Sequence, residues 1–254
     1  MFLELPAQKE RNVLKVINRR NTSSQIYKWK QYHIFEKSYH GVYEVKNEFI
    51  SYQRLLKIID DPSLSIPEIY YCFDEENVLG IEYIQGHTLA YHIKNSELSV
   101  LKNWHRPLID FFIKASCHNI HFDADPSNMI LEANGKRLYI IDPIISSEID
   151  LKDSAIIIFL TGLIKFFLQS PSNLFKGSSY KIWSFFFQDY SESAGINPSD
   201  LRIQLNKYLR VVLGWNKSRS NGESYIRYLF RLVFYVPVWQ VVRILLIKII
   251  LKKI

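Results

Sequence analysis

The stretch His121-Phe122-Asp123-Ala124-Asp125-Pro126-Ser127-Asn128, closed a little later by Tyr139-Ile140-Ile141-Asp142, decides how this chain is read. Between the two pieces, Met129-Ile130-Leu131 and Leu138-Tyr139-Ile140-Ile141 read as short strands. Asn134-Gly135 between them predicts a tight hairpin, because both residues tolerate positive φ. Such a hairpin returns Asp142 to the side of Asn128. A carboxylate, an amide five residues on and a second carboxylate behind an apolar strand are what transfer of a phosphoryl group from a magnesium nucleotide requires. In that arrangement Asp123 would orient an acceptor hydroxyl and take its proton. Asn128 and Asp142 would supply oxygens to Mg2+, a hard ion that prefers them. The plainer reading is an Asx-rich surface loop with Asp125-Pro126 as a turn.

The segment from His121 to Ile130 resembles the His-Gly-Asp-Leu-His-Pro-Gly-Asn-Ile-Leu loop of the aminoglycoside and choline phosphotransferases, and is similar to the loop of the sugar kinases of the lipopolysaccharide core. All of these belong to the protein-kinase-like fold. The resemblance implies an α+β chain of two lobes: a small antiparallel-sheet lobe over residues 1–85 that binds the nucleotide, and a larger helical lobe over 86–254 that carries the catalytic loop and basic C-terminal helices. It also implies ATP and Mg2+ as cofactors.

Length and composition are compatible with that expectation. The chain has 254 residues, enough for one two-lobed domain with a substantial core. The two cysteines, Cys72 and Cys117, form no motif, which argues against a disulfide framework or a zinc site and fits a reducing compartment. The start, Met1 to Pro6, lacks the basic and apolar regions of a signal peptide, so a cytoplasmic location is expected. Charge is uneven. Residues from Arg202 to Ile254 carry eleven Lys or Arg against the single acid Glu223, a balance of +10 within a total of +7. The basic character therefore belongs to the C-terminal helices. It suits an anionic membrane or nucleic acid, or a solvated face with no partner.

Three strands are expected at the start, over residues 12–17, 25–30 and 32–37, where β-branched and aromatic residues alternate with polar ones. The turn from Asn18 to Ser24 occupies the place of the glycine-rich loop of a kinase but contains no glycine. Arg19 or Arg20 would have to compensate as cations. Lys37 closes the third strand, and Glu48 follows in a helix over 45–56 in which Phe49, Tyr52, Leu55 and Leu56 recur at helical spacing. By the resemblance, Lys37 holds the α and β phosphates and Glu48 holds Lys37. Glu44 and Lys30 are weaker substitutes for the two. A strand over 66–73, an acidic turn over 74–77 and a strand over 78–84 come next. The ending Glu82-Tyr83-Ile84-Gln85-Gly86 resembles the hinge between kinase lobes, where backbone groups of Glu82 and Ile84 would bond the adenine edge.

Beyond Gly86 the period becomes helical. A helix is expected over 98–117, kinked or split by Pro107. The run from Ala155 to Leu168 has fourteen residues interrupted by Lys165, short of the roughly 20 that cross a bilayer, and reads as a buried helix. Asp153 before it resembles the aspartate of the Asp-Leu-Ala signature of phosphotransferases; an ordinary helix-start acid is the alternative. Ten residues lie between Asp142 and Asp153, Pro143 follows the aspartate, and no Ala-Pro-Glu closes the segment. A small hydroxylated acceptor is thereby favoured over a protein. The remaining residues predict helices broken at 171–173, 197–199 and 218–222. In the last of them, over residues 238–254, Arg243 and Lys248 argue against a membrane span, since a central cation costs about 2.5–3.5 kcal/mol. An interfacial helix on the inner face of an anionic membrane and a helix packed on its own lobe both fit. No specific nucleic-acid surface is evident, and a monomer is expected.

The sequence therefore points to an ATP- and Mg2+-dependent phosphotransferase whose acceptor is a small molecule, glycan or glycolipid. Its rivals are a protein Ser/Thr kinase, a catalytically silent kinase-like binding module and an unrelated α+β protein.

Overall fold

The computed structural model describes residues 10–18, 22–40, 45–95, 97–143, 154–168 and 177–217. The chain divides into two compact units, residues 1–186 and 187–254.

The alternating segments of the first unit make a five-stranded antiparallel sheet. Its strands are β1 (Asn12–Asn18), β2 (Thr22–Trp29), β3 (Tyr32–Tyr39), β5 (Ile69–Phe73) and β6 (Val78–Glu82), in the spatial order β1-β2-β3-β6-β5. Successive residues of a strand face opposite sides, so Glu36 and Lys37 of β3 look in different directions. On one side Tyr27, Trp29, Ile34, Tyr70 and Tyr71 form an apolar cluster. A bulge between Ile69 and Tyr71 brings two consecutive tyrosines of β5 into that cluster. The cluster surrounds a buried carboxylate, Glu36, which accepts from Arg11 Nη1 at 2.8 Å, Tyr71 Oη at 2.5 Å and Gln25 Nε2. Glycine at position 80 makes this possible. Gly80 lies in register with both Glu36 and Tyr71, and a Cβ there would fall 2.1 Å from the Tyr71 ring.

The other side receives α1 (Val45–Leu56), whose Glu48, Tyr52 and Leu55 are buried while Leu56 is exposed. Its first amide, Val45 N, donates at 2.8 Å to Asn77 Oδ1 in the β5–β6 turn. Such capping satisfies a backbone donor that the helix itself cannot.

A second sheet of four strands, order β4-β9-β8-β7, holds the other half of the expected site. It comprises β4 (Leu64–Ser65), β7 (Gly86–Thr88), β8 (Met129–Glu132) and β9 (Leu138–Ile140), with β4 parallel to β9 and the rest antiparallel. The β8–β9 hairpin is wider than a two-residue turn: Glu132 N donates to Arg137 O across a four-residue loop. Only Gly135 takes positive φ, while Asn134 keeps its side chain for the Lys136 amide.

The helices of this unit are α2 (Leu89–Lys94), α3 (Ser99–Asn103), α4 (His105–Cys117), α5 (Ser154–Leu168) and the first part of α6 (Gly177–Ser193). The break expected at Pro107 falls at Trp104 instead, because a proline in the first turn of α4 removes no intrahelical bond. Phe111, Phe112, Phe122, Phe159 and Phe186 stack in a chain with centroids 4.9–6.3 Å apart, joining α4, α5 and α6 beneath the stretch that starts at His121. In the second unit the end of α6 turns through Gly195, at φ 64°, into α7 (Pro198–Lys217). Leu201, Leu205 and Tyr208 of α7 are buried.

Strand boundaries depart from expectation at several ends, with β5 starting at Ile69 rather than residue 66 and β6 ending at Glu82 rather than residue 84. β2 begins at Thr22, so the turn before it is shorter than residues 18–24. β3 continues to Tyr39, which moves Lys37 from the strand's end to its interior. Among the described residues no helix is long and apolar enough to cross a membrane.

Candidate functional site

Lys37 sits in register with Ser24 of β2 and Leu79 of β6. Its Nζ donates to Glu48 Oε1 at 2.7 Å and to Asp142 Oδ1 at 3.2 Å. Three residues singled out in three distant parts of the sequence thus share one ammonium. Burial works against that ammonium, but Glu48, Tyr52 and Asp142 outweigh it and hold the Lys37 pKa above the usual lysine value. Burial pushes the Glu48 carboxyl up, opposed by Lys37. Glu48 is fully buried, and among the described residues no group meets hydrogen-bond geometry with its second oxygen, Oε2.

Asp142 is held by its backbone as much as by its side chain. Its amide donates to the Tyr52 hydroxyl at 3.1 Å, one helical turn beyond Glu48 on the same face of α1. Its φ is 50°, a left-handed conformation that costs a non-glycine residue about 1–2 kcal/mol. The side chain of Asp142 remains 42% exposed to solvent.

The expected loop assembles around this point. Ile141 N donates to Asn128 O at 2.8 Å, which sets Asp142 directly after a bond to Asn128. Asp123 N donates to Pro143 O at 3.3 Å, which ties the other carboxylate to the residue following Asp142. Asn128 Nδ2 donates to Asp123 O at 3.5 Å, and Asp123 Oδ1 accepts from Asp125 N at 3.1 Å. The Asp123 carboxyl is pushed up to about 6, above all by burial; Asp125 and Asp142 add to the rise, and the Asp125 amide and Lys165 oppose it. A carboxylate tuned toward neutrality suits a general base.

Asn128 and Asp142 each keep a side-chain oxygen of the kind a magnesium ion would take. The Asn128 amide nitrogen is spent on Asp123 O, which leaves its Oδ1 as an acceptor, and Asp142 Oδ2 is the carboxylate oxygen that Lys37 does not take. Two protein oxygens completed by phosphate oxygens and water match the way Mg2+ is held at nucleotide sites. Among the described residues no group of three or more His, Cys, Asp or Glu is placed to hold a metal ion.

The expected adenine contacts fall at and just beyond the end of β6. Glu82 N is already paired with Glu68 O at 2.8 Å, and Tyr83 N with His33 O at 2.9 Å. Ile84 is buried, and among the described residues its amide has no backbone partner. A cavity of about 60 Å3 lies between Thr22, Ser24, Lys37, Tyr39 and Asp142. Lys30 does not substitute for Lys37; it turns at φ 54° and places Nζ 4.4 Å from the Trp29 ring. Arg19, Arg20, Glu44, Asp153 and residues 238–254 lie outside the described residues.

Two residues of the site escaped the sequence reading. Tyr52 looked like one of several apolar positions on α1, though its spacing of four from Glu48 placed both on one face. Lys165 looked like an interruption of an apolar helix. Its Nζ lies 3.0 Å from Asp125 Oδ2, and Asp125 Oδ1 in turn accepts from Ser127 N at 2.9 Å and Ser127 Oγ at 2.6 Å. His121 Nδ1 meets Ser154 Oγ at 2.8 Å, which also fastens the loop to α5.

No protein-family model matches the chain, and a search of curated proteins finds none that matches it.

Proposed function

We propose that this chain is a two-lobed, protein-kinase-like phosphotransferase that passes the γ-phosphoryl group of ATP to the hydroxyl of a small molecule or glycan. The observation that carries the reading is the shared ammonium of Lys37, bonded at once to Glu48 Oε1 and Asp142 Oδ1. Nothing about an ordinary sheet and helix requires a strand lysine, a buried helix carboxylate and a hairpin aspartate to meet at one atom. The sheet order β1-β2-β3-β6-β5 with α1 inserted after β3 supports the same reading.

On this reading Lys37 positions the α and β phosphates and Glu48 keeps Lys37 in place. Asp123 orients the acceptor hydroxyl and accepts its proton as the acceptor oxygen bonds to the γ phosphorus. The bond from that phosphorus to the bridging oxygen breaks, and its electron pair leaves with ADP. Mg2+ held at Asn128 and Asp142 would offset the negative charge on the phosphate oxygens. With the Glu82 amide taken by Glu68 O, the Glu82 carbonyl and the Ile84 amide are the backbone groups that would meet the adenine. The short span from Asp142 to Asp153 leaves little chain to hold an extended peptide, which favours a small acceptor such as a sugar or amino alcohol.

A thermal-unfolding measurement with Mg-ATP tests the proposal. Ligand at a hundred times its Kd stabilises by about 2.7 kcal/mol, so the unfolding temperature should rise measurably, and Asp142→Ala should lose most of the gain. A wild type indifferent to Mg-ATP refutes it. Turnover that survives Asp123→Ala would contradict the assigned base, and phosphate uptake across a panel of sugars and amino alcohols identifies the acceptor. One observation favours a second reading, a silent binding module: the cavity of about 60 Å3 beside Lys37 is far below the roughly 300–1,000 Å3 of ordinary ligand sites. Nucleotide binding without turnover on any acceptor would establish it.

A further inference from the structure

A catalytic loop next to a triphosphate should not carry spare negative charge, yet here Asp125 stands two residues from Asp123. Its oxygens are fully committed. Oδ1 takes the amide and hydroxyl of Ser127, and Oδ2 takes Lys165 Nζ at 3.0 Å. The lysine comes from the last turn of an otherwise apolar helix, where its charge also complements the helix dipole. Two features of α5 show how it is brought there. Gly162, one turn earlier on the same face, lies so near the loop that a Cβ would fall 2.3 Å from Pro126 Cδ and 3.5 Å from Asp125 Oδ2. Phe166 then supports the lysine, with Nζ 4.6 Å from its ring centroid. Helix and loop approach at the one position that has no side chain, and the ammonium is delivered three residues later.

An ammonium has three donors. One is used on Asp125, the side chain is still 40% exposed, and the charge lies near enough to Asp123 to oppose the rise of its carboxyl. We propose that Lys165 is the second phosphate-binding cation of this site, held by Asp125 and contacting the γ-phosphoryl oxygens while Lys37 contacts the α and β phosphates. The inference rests on the phosphotransferase reading and deepens it. Lys165 supplies charge to the oxygens of the group in transit and forms no covalent bond. Asp125 is then a positioning residue, placing the lysine as Glu48 places Lys37.

The consequence is a preference for triphosphate over diphosphate that depends on residue 165. Binding of Mg-ATPγS and of Mg-ADP is measured by calorimetry for the wild type, Lys165→Gln, Lys165→Met and Lys165→Arg. Glutamine keeps a donor for Asp125 without the charge, methionine removes both, and arginine keeps both. Losing one charge-assisted contact should weaken Mg-ATPγS binding roughly tenfold in the glutamine and methionine variants while Mg-ADP moves by less than about twofold, and arginine should retain the preference. A glutamine variant that keeps the wild-type ratio, or one that weakens both nucleotides alike, overturns the inference and leaves the phosphotransferase reading standing. Should methionine unfold the protein, glutamine and arginine decide alone. A wild type that binds neither nucleotide removes the reading and this inference together.

Discussion

Replacing Lys37 by methionine isolates the electrostatic problem at the centre of the site. Glu48 is fully buried and Lys37 Nζ meets it at 2.7 Å, so loss of the ammonium strands a carboxylate in an apolar surround. Breaking a buried pair in this way costs about 3–5 kcal/mol. The reverse change, Glu48→Gln, leaves a lysine that is 12% exposed and still 3.2 Å from Asp142 Oδ1; one charged hydrogen bond is weakened, a cost of about 1.5–3 kcal/mol at most. The asymmetry carries a pH signature. Burial already raises the Glu48 carboxyl, and without Lys37 it rises further. A group whose folded pKa lies above its unfolded value favours folding below the unfolded pKa, and that contribution is lost as pH rises through the folded pKa. Relative to wild type, Lys37→Met should therefore be most destabilised at pH 8 and recover toward pH 5, while the double variant Lys37→Met/Glu48→Gln regains most of the loss at pH 8. Urea unfolding at the two pH values, with the m-value constant, reads this directly. Equal penalties for the two single variants at pH 8, or a Lys37→Met penalty that grows on acidification, would refute the account.

Asp123→Asn should abolish turnover yet stabilise the metal-free protein at pH 8. Its carboxyl is raised from 3.8 to about 6, worth up to about 3 kcal/mol at 1.36 kcal/mol per pH unit, and urea unfolding should show the gain fading below pH 6. Tyr52→Phe leaves the Asp142 amide without its acceptor; a loss of about 1–3 kcal/mol is expected by chemical denaturation, together with a smaller Mg-ATP stabilisation. Gly80→Ala places a methyl 2.1 Å from the Tyr71 ring. Displacing that ring should cost at least about 1–3 kcal/mol in thermal unfolding, and an unchanged midpoint would show that Tyr71 does not need the gap.

What could be read from the sequence is what short-range chemistry encodes. The alternation of β1 to β3, the helical spacing of α1 and the reversal between β8 and β9 are local patterns, and each is present in the structure. Lys37, Glu48, Asn128 and Asp142 were reachable because their spacing resembles a known motif, not because any local rule places them together. Long-range approaches left no such mark. Asn77 was one residue of an acidic turn, yet its side chain caps α1, and its φ of 54° aims it there. Asp125 read as half of a turn and Lys165 as a flaw in an apolar run; only the closeness that Gly162 permits joins them. The split at Trp104 rather than Pro107, and the wider β8–β9 loop, are cases in which the nominated breaker was tolerated and its neighbour did the breaking.

The geometry also says why these contacts succeed or fail together. Glu48 and Tyr52 are four residues apart on one face of α1, and each reaches the same short segment, one through Lys37 to the Asp142 carboxylate and the other to the Asp142 amide. The left-handed backbone at Asp142 costs free energy that those two bonds offset. A rotation of α1 by a single residue, about 100°, would break both and remove the reason for Asp142 to hold its φ. Because Ile141 N is bonded to Asn128 O and Asp123 N to Pro143 O, a change at Asp142 is felt by the other two polar residues of the loop. The seating of α1 on the sheet therefore determines whether Asp123, Asn128 and Asp142 keep this arrangement.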